Sequence, residues 1–281
     1  MKMDQYYLNG QILPAAEARL HVSDLGLLRA YGIFDYFRAI ERQPIFLEDH
    51  LDRFERSAAL LGLVIPATRD ELRNLVYELS RRNPHALLGF KFVLTGGYST
   101  DGFGPAAEPN FIIMPKPFRF LDAPAGLHFM TVGHQRQLFE VKSLDYLMPI
   151  YTLRRQREIG ADDVLYHHNG LITESSRSNV FIVKDGIVVT PSAGMLLGIT
   201  RKHVMKIADD RFTVEEREVT LAETCAADEV FTTGSTKRVL PVTRIDGRPV
   251  GSGRPGPVTQ QLTQMFLEYE RELLTNVPAR S

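Results

Sequence analysis

Three dipeptides constrain the chain most: Asn9-Gly10, Asn169-Gly170 and Asp185-Gly186, each standing between short apolar runs. A two-residue reverse turn needs positive φ at its centre, which Asn, Asp and Gly tolerate, so each dipeptide predicts a β-hairpin. The first predicts a strand pair over residues 6–13, and the third joins strands at 180–183 and 187–189. Between these hairpins the apolar period changes. Leu51, Phe54, Ala58 and Leu61 recur at helical spacing over residues 48–63, and Leu72, Leu75, Val76 and Leu79 do so over 69–81. Strands are expected at 33–40, 89–95 and 111–114, with a glycine-rich loop at 95–109.

Residues 115–126 hold three prolines and no helical period, which marks them as a linker. The expected organisation is therefore a small α/β domain over 1–114, the linker, and a larger domain over 127–281. In the second domain we expect strands at 127–132, 163–167, 171–173 and 229–232 and helices at 146–159 and 201–209. Val258, Leu262, Met265, Phe266, Tyr269 and Leu273 mark the last helix. Strands interleaved with helices throughout give the fold class as α/β.

Charge and cysteine content narrow the function. The 281 residues carry 33 Lys+Arg against 34 Asp+Glu, a formal charge of −1, which argues against a partner held by phosphate contacts such as nucleic acid. The single cysteine, Cys225, supplies neither an internal disulfide nor a zinc site. No segment approaches the roughly 18 apolar residues of a spanning helix, and residues 1–11 lack the apolar core of a signal peptide. These features predict a cytoplasmic protein without a membrane partner.

Common nucleotide, zinc-protease and serine-hydrolase motifs are missing. The loop Thr95-Gly-Gly-Tyr-Ser-Thr-Asp-Gly102 has the glycine content of a phosphate loop but not its Lys-Ser/Thr pair, and the adjacent His167-His168 point to opposite faces of a strand. Leu197-Gly-Ile-Thr-Arg201 reads as a glycine turn and a capping threonine opening a helix, where free N–H groups and the dipole attract an anion. Taken alone, such a threonine merely caps. Thr232-Thr-Gly-Ser-Thr-Lys237 offers a second cluster of hydroxyls and backbone to an anion. Lysine is scarce beside arginine, and Lys142 precedes the apolar Leu144, Tyr146 and Leu147. A desolvated lysine can be the nucleophile of a Schiff base, although a solvated surface lysine is the ordinary case. Glu174 by itself is a polar residue after a strand.

Together, six segments resemble in order the fold-type IV family of pyridoxal-phosphate (PLP) enzymes, the class IV aminotransferases, and within it the D-amino-acid aminotransferases. They are Tyr31-Gly-Ile-Phe-Asp35, His50-Leu-Asp-Arg-Phe54, Lys142-Ser-Leu-Asp-Tyr146, Glu174-Ser-Ser-Arg-Ser-Asn-Val-Phe181, Leu197-Gly-Ile-Thr-Arg201 and Glu229-Val-Phe-Thr-Thr-Gly-Ser235. The resemblance implies a small α/β domain joined to a larger C-terminal α/β pseudo-barrel domain, with the cofactor between them, and a homodimer. It implies that Lys142 attaches the cofactor and carries the proton, and that Glu174 sits against the pyridine nitrogen so that the ring can absorb electrons. Arg53, Ile199, Thr200, Ser235 and Thr236 would bind the phosphate, Leu197 would pack on the ring, and Tyr146 would reach the 3′-oxygen.

Departures fall on the substrate side. D-amino-acid aminotransferases of the well-known type carry an Arg-x-His pair in the loop matching 95–104, and this loop has neither residue. Arg177 replaces a small residue in the Glu174 motif, while Arg29 and Arg38 flank the Tyr31–Asp35 motif that lines the family's substrate pocket. A guanidinium grips a carboxylate with a planar fork. We therefore expect Arg29 and Arg177 to hold the α-carboxylate, with Phe34, Tyr36 and Arg38 lining the pocket. Asp145 stands where the family more often has Asn. The expected reaction passes the amino group of a D-amino acid to a 2-oxo acid such as 2-oxoglutarate. The alternatives are an L-branched-chain aminotransferase, an aminodeoxychorismate lyase that shares Lys142 and Glu174, a non-catalytic binder of the cofactor, and a phosphosugar- or nucleotide-binding module.

Overall fold

Asn9 at φ 45° and Gly10 at φ 91° make the expected turn between β1 (Gln5–Leu8) and β2 (Gln11–Pro14), in a computed structural model that describes residues 4–105 and 108–275. Residues 1–3, 106–107 and 276–281 lie outside the described residues, and with them the corresponding parts of the expected N-terminus, the 95–109 loop and the end of the second domain. The chain separates into two compact units, Met1–Arg119 with Val141–Asp145, and Phe120–Glu140 with Tyr146–Ser281.

In the first unit, α1 (Leu25–Arg29), β3 (Gly32–Ile40), β4 (Gln43–Pro44), α2 (Leu47–Leu60), α3 (Arg69–Arg82), β5 (Leu87–Thr95) and β6 (Phe111–Pro117) follow the first hairpin. Six strands form one sheet in the order β2-β1-β6-β5-β3-β4. Alternation along β3 sends Ile33, Phe37 and Ala39 into the core that α2 and α3 cover. There Phe37 stacks on Phe90 at 5.2 Å, and Phe54 meets Phe92 edge-on at 5.5 Å. α3 begins where Thr68 and Glu71 cap each other reciprocally.

Two features depart from the expected division. β6 continues through Pro115 and Pro117 instead of ending at a linker; its register with β1 covers only Ile112 and Ile113, so the prolines withhold no donor from that neighbour. The segment Val141–Asp145, expected in the second domain, pairs with the first unit. β4 covers only the far end of β3, leaving its start open, and Phe34 N–H donates to Lys142 O at 2.9 Å while Leu144 N–H donates to Gly32 O at 3.0 Å.

The second unit contains β7 (Leu127–Gly133), α4 (Leu147–Ile159), β8 (Asp163–His168), β9 (Leu171–Ser175), β10 (Asn179–Lys184), β11 (Ile187–Pro191), α5 (Ile199–Ala208), β12 (Val214–Arg217), α6 (Leu221–Cys225), β13 (Glu229–Gly234), β14 (Arg238–Ile245), β15 (Arg248–Pro249) and α7 (Pro257–Thr275). Its strands run in the order β12-β11-β10-β13-β14-β7-β8-β9, and Asn179 of β10 also pairs with Glu174 of β9. That pairing closes β10, β13, β14, β7, β8 and β9 into a barrel-like ring filled by Phe129, Leu165, Val180, Ile182 and Val230 among others. β14, absent from the expected strands although Asp246-Gly247 turns it into β15, carries Pro241 opposite Phe231 on the β13 side, before its pairing with β7 begins at Val242.

Candidate active site

In the first unit, alternation puts Asp35 on the side of β3 that faces α2, and helical spacing sets His50 and Arg53 one turn apart on α2. Arg53 donates from Nε to Asp35 Oδ2 and from one Nη to Oδ1, both at 2.8 Å, and His50 Nδ1 lies 2.7 Å from Oδ1. All three residues are buried. Burial alone would raise the Asp35 pKa, but Arg53 and His50 hold it well below the usual carboxylate range. Burial pushes His50 down, against the pull of Asp35. Most of the fork of Arg53, expected on a phosphate, therefore grips Asp35; its other Nη lies outside that pair.

The opposite parity of β3 carries Phe34, Tyr36 and Arg38. Lys142 Nζ lies 4.6 Å from the centre of the Phe34 ring, and Lys91 Nζ lies 4.9 Å from it. The Lys142 backbone is tied to Phe34 and, through its N–H, to Ser57 Oγ at 3.3 Å. Lys91, opposite Tyr36 in the register, is exposed as a residue, and partial desolvation among its neighbours and the nearby Lys116 lower its pKa. It is a site candidate that sequence reasoning misses, and the signal is a lone lysine within the apolar run of β5. Arg29 is exposed on α1 and donates to Leu28 O at 2.8 Å. Within the 95–104 loop, Asp101 accepts from Ser99 Oγ and from the N–H groups of Phe103 and Gly104, so those polar groups satisfy one another.

In the second unit Glu174 is buried at the end of β9. Arg136 Nε donates to its Oε1 at 2.7 Å and Leu196 N–H to its Oε2 at 3.3 Å, which fixes the orientation of the carboxylate. Arg136 also donates to Phe139 O. Sequence reasoning does not find it, because nothing local separates it from the other arginines.

The helix at 197–201 requires a correction. Thr200 is not the cap: α5 starts at Ile199, Gly198 is the N-cap, and no side chain caps the first turn. Gly198 fits because Asn179 approaches so closely that a Cβ would sit 2.0 Å from its Oδ1. The first-turn N–H groups thus stay uncovered, beside the exposed Leu197. Ser235 and Thr236 form a turn closed by Lys237 N–H to Gly234 O at 3.0 Å and held by Leu121 N–H to Thr236 O at 3.1 Å. Tyr146 is the half-buried N-cap of α4, and Arg177 is exposed between β9 and β10. No group of three or more His, Cys, Asp or Glu among the described residues could hold a metal, nor is any helix there long and apolar enough to cross a membrane.

The first unit offers a primary amine, and the second a clamped carboxylate, a helix N-terminus and a hydroxyl turn, the kinds of partner that the aldehyde, ring nitrogen and phosphate of a phosphorylated pyridine aldehyde take. Residues 32–245 match the model of amino-transferase class IV. The chain is 32% identical to a putative branched-chain-amino-acid aminotransferase of Methanocaldococcus jannaschii, over 92% of this chain and 94% of that protein. It is 29% identical to a D-alanine aminotransferase of Staphylococcus epidermidis, over 95% and 98%. Among solved structures, the T.th. branched-chain amino acid aminotransferase complexed with N-(5'-phosphopyridoxyl)-L-glutamate superposes with a TM-score of 0.89 at 29% identity, covering 95% of this chain and 94% of that one. The chain belongs to the class IV aminotransferases, a PLP-dependent family of fold type IV.

Proposed function

We propose that the chain is a PLP-dependent transaminase that moves the amino group of a D-amino acid to a 2-oxo acid such as 2-oxoglutarate. The observation that carries the substrate class is the face of β3: Phe34, Tyr36 and Arg38, with Lys91 and Lys142 over the Phe34 ring, set cations around an aromatic surface, as anionic amino and oxo acids require. When bound, PLP supplies an electron sink for the substrate Cα carbanion. Lys142 Nζ would hold it and carry the proton to and from Cα. Glu174, oriented by Arg136, would serve the ring nitrogen, and Leu197 would pack on the ring. Arg53, the first turn of α5 at Ile199 and Thr200, and the Ser235–Thr236 turn would hold the phosphate, while Tyr146 would serve the 3′-oxygen.

For the α-carboxylate we propose Arg177, exposed between β9 and β10 with its carbonyl oxygen 3.5 Å from where a Cβ on Gly234 would lie, together with Arg29 of α1. The test is a half-reaction spectrum of the PLP-loaded protein with D-alanine, D-glutamate, L-leucine and L-glutamate in turn. Conversion of the cofactor band by the D-donors supports the assignment. The M. jannaschii relative favours the second reading, an L-branched-chain enzyme, which conversion by L-leucine alone would establish. Arg177→Ala is expected to raise KM for amino donors about 10- to 100-fold, the loss of a charge-assisted hydrogen bond, with cofactor retention unchanged. An unchanged KM would remove Arg177 from the site.

We also propose a cytoplasmic homodimer. Leu147, Ile150 and Tyr151 are 65–76% exposed along one face of α4, an apolar stripe suited to a second copy. Light scattering should return twice the 31.8 kDa of the chain.

A further inference from the structure

Beneath the Ser235–Thr236 turn lies a buried ion pair that the proposed reaction does not use. Lys237, the residue after the turn, is 7% exposed and reaches inward to Asp163, which is 4% exposed, with Nζ 2.6 Å from Oδ2. The same ammonium donates to Ser178 Oγ at 3.0 Å and lies 5.9 Å from the centre of the Phe129 ring. Asp163 in turn accepts from Ser175 Oγ, Ser176 Oγ and Val164 N–H. Ser178 is linked to Ser175 Oγ at 2.6 Å and accepts from Thr232 Oγ1 at 2.8 Å. Burial would push the Asp163 pKa up, yet Lys237 and these hydrogen bonds hold it below its ordinary value.

The connectivity of this network is its informative property. Ser175 and Ser176 directly follow Glu174, while Lys237 directly follows Thr236. One end of the network therefore holds the carboxylate proposed for the ring nitrogen, and the other holds the turn proposed for the phosphate. An apolar pair of similar volume stabilises a core as well as a buried ion pair does. The charges add direction: the bonds converging on one ammonium and one carboxylate leave the turn little room to move against β9. A ligand with a rigid ring between its nitrogen and its phosphate arm responds to a displacement of that kind, because its contacts at the two ends cannot both relax.

We infer that Lys237 and Asp163 are positioning residues that set the Ser235–Thr236 turn relative to Glu174, and so determine how strongly the chain grips the phosphate of its cofactor. This inference rests on the proposed PLP site. Its prediction concerns binding rather than turnover, and it is specific to the phosphate.

The experiment titrates the apo protein with pyridoxal 5′-phosphate and with pyridoxal, following absorbance, and takes the ratio of the two Kd values as the phosphate increment. Lys237→Met alone strands a buried carboxylate and lowers Tm. The double variant Lys237→Met/Asp163→Asn removes both charges and should regain most of that Tm. If the pair positions the turn, the double variant still shows a phosphate increment reduced about tenfold, the usual scale for losing an outer residue that orients a ligand contact, with pyridoxal binding within about twofold of the parent. A parental increment at near-parental Tm overturns the inference and leaves the pair a core feature. Should the double variant fail to fold, Asp163→Asn alone gives the same ratio, and an unchanged value there has the same meaning. A parent chain that takes up neither compound overturns the proposed function itself, a result distinguishable from the other outcomes because it appears before any substitution is made.

Discussion

Lys142→Ala is expected to slow the half-reaction with its best donor by about 10⁴-fold, the upper range for losing a positioned proton carrier. The geometry explains why one amine can be needed so fully. The Lys142 carbonyl accepts from Phe34 N–H and its own N–H donates to Ser57 Oγ, so the residue is fixed to β3 and α2 at the backbone and only the side chain moves. Nζ stands over the Phe34 ring on the face that carries Tyr36 and Arg38. Among the described residues no other lysine shares its backbone ties to Phe34 and Ser57, and Lys91 reaches the same ring from β5. Two measurements separate attachment from proton transfer. After borohydride reduction, the intact mass of the parent should increase by one cofactor and that of the variant should not. In single-turnover experiments with added methylamine, partial recovery would show that a free amine replaces the proton carrier. Because the side chain is only half-buried, Tm should fall less than on breaking a buried ion pair. A variant that still converts its donor within about tenfold of the parent would exclude Lys142 from the chemistry.

What can be read from sequence divides by the range of the interactions. The Asn-Gly and Asp-Gly hairpins are set by φ at two adjacent residues, so their positions follow from the dipeptides themselves. The amphipathic helices α2 and α3 carry their partner faces in their spacing. β14 is legible only at its end, where Asp246-Gly247 turns into β15; its start is hidden, because Pro241 argues against a strand until one sees that its neighbour on one side begins at Val242. The return of Val141–Asp145 to β3 depends on an edge that β4 leaves uncovered, a property of the assembled sheet. The site behaves likewise. Lys142, Glu174 and Thr200 stand out through a resemblance to known motifs, whereas Arg136, Lys91 and Lys237 take their meaning from contacts across 38, 55 and 74 residues of chain. Gly198 is hidden as the cap because a threonine two residues on has the chemistry of one. What forces glycine there is Asn179 approaching from another strand.

Asp35→Ala is the substitution expected to cost the fold most, about 3–5 kcal/mol, the usual result of removing one partner of a buried ion pair. It leaves the Arg53 guanidinium, 5% exposed, and the His50 ring, 3% exposed, facing each other without the carboxylate that joins β3 to α2. The pH dependence follows from the directions of the two shifts. Asp35 is depressed in the folded chain, so its contribution is fully present above its unfolded pKa of roughly 4 and is lost as pH falls below that value. His50 is also depressed by burial: the unfolded chain binds a proton below about pH 6.5 that the folded chain does not, and stability declines from there downward. Urea titrations of the parent should therefore show two acid losses, one from about pH 6.5 and one from about pH 4. Asp35→Asn should make the lower one smaller, since Asp163 and Glu48 still contribute there, and keep an acceptor for Arg53. If Asp35→Ala costs less than about 1 kcal/mol at neutral pH, the pair is not what anchors α2 to the sheet. The same substitution frees Arg53 from its orientation, so cofactor retention should fall at temperatures where the variant is still folded. Asp35→Asn, which holds the guanidinium by a weaker neutral bond, should lie between it and the parent. An effect on retention that tracks the strength of the Asp35 contact rather than Tm would distinguish aiming Arg53 from merely keeping the unit folded.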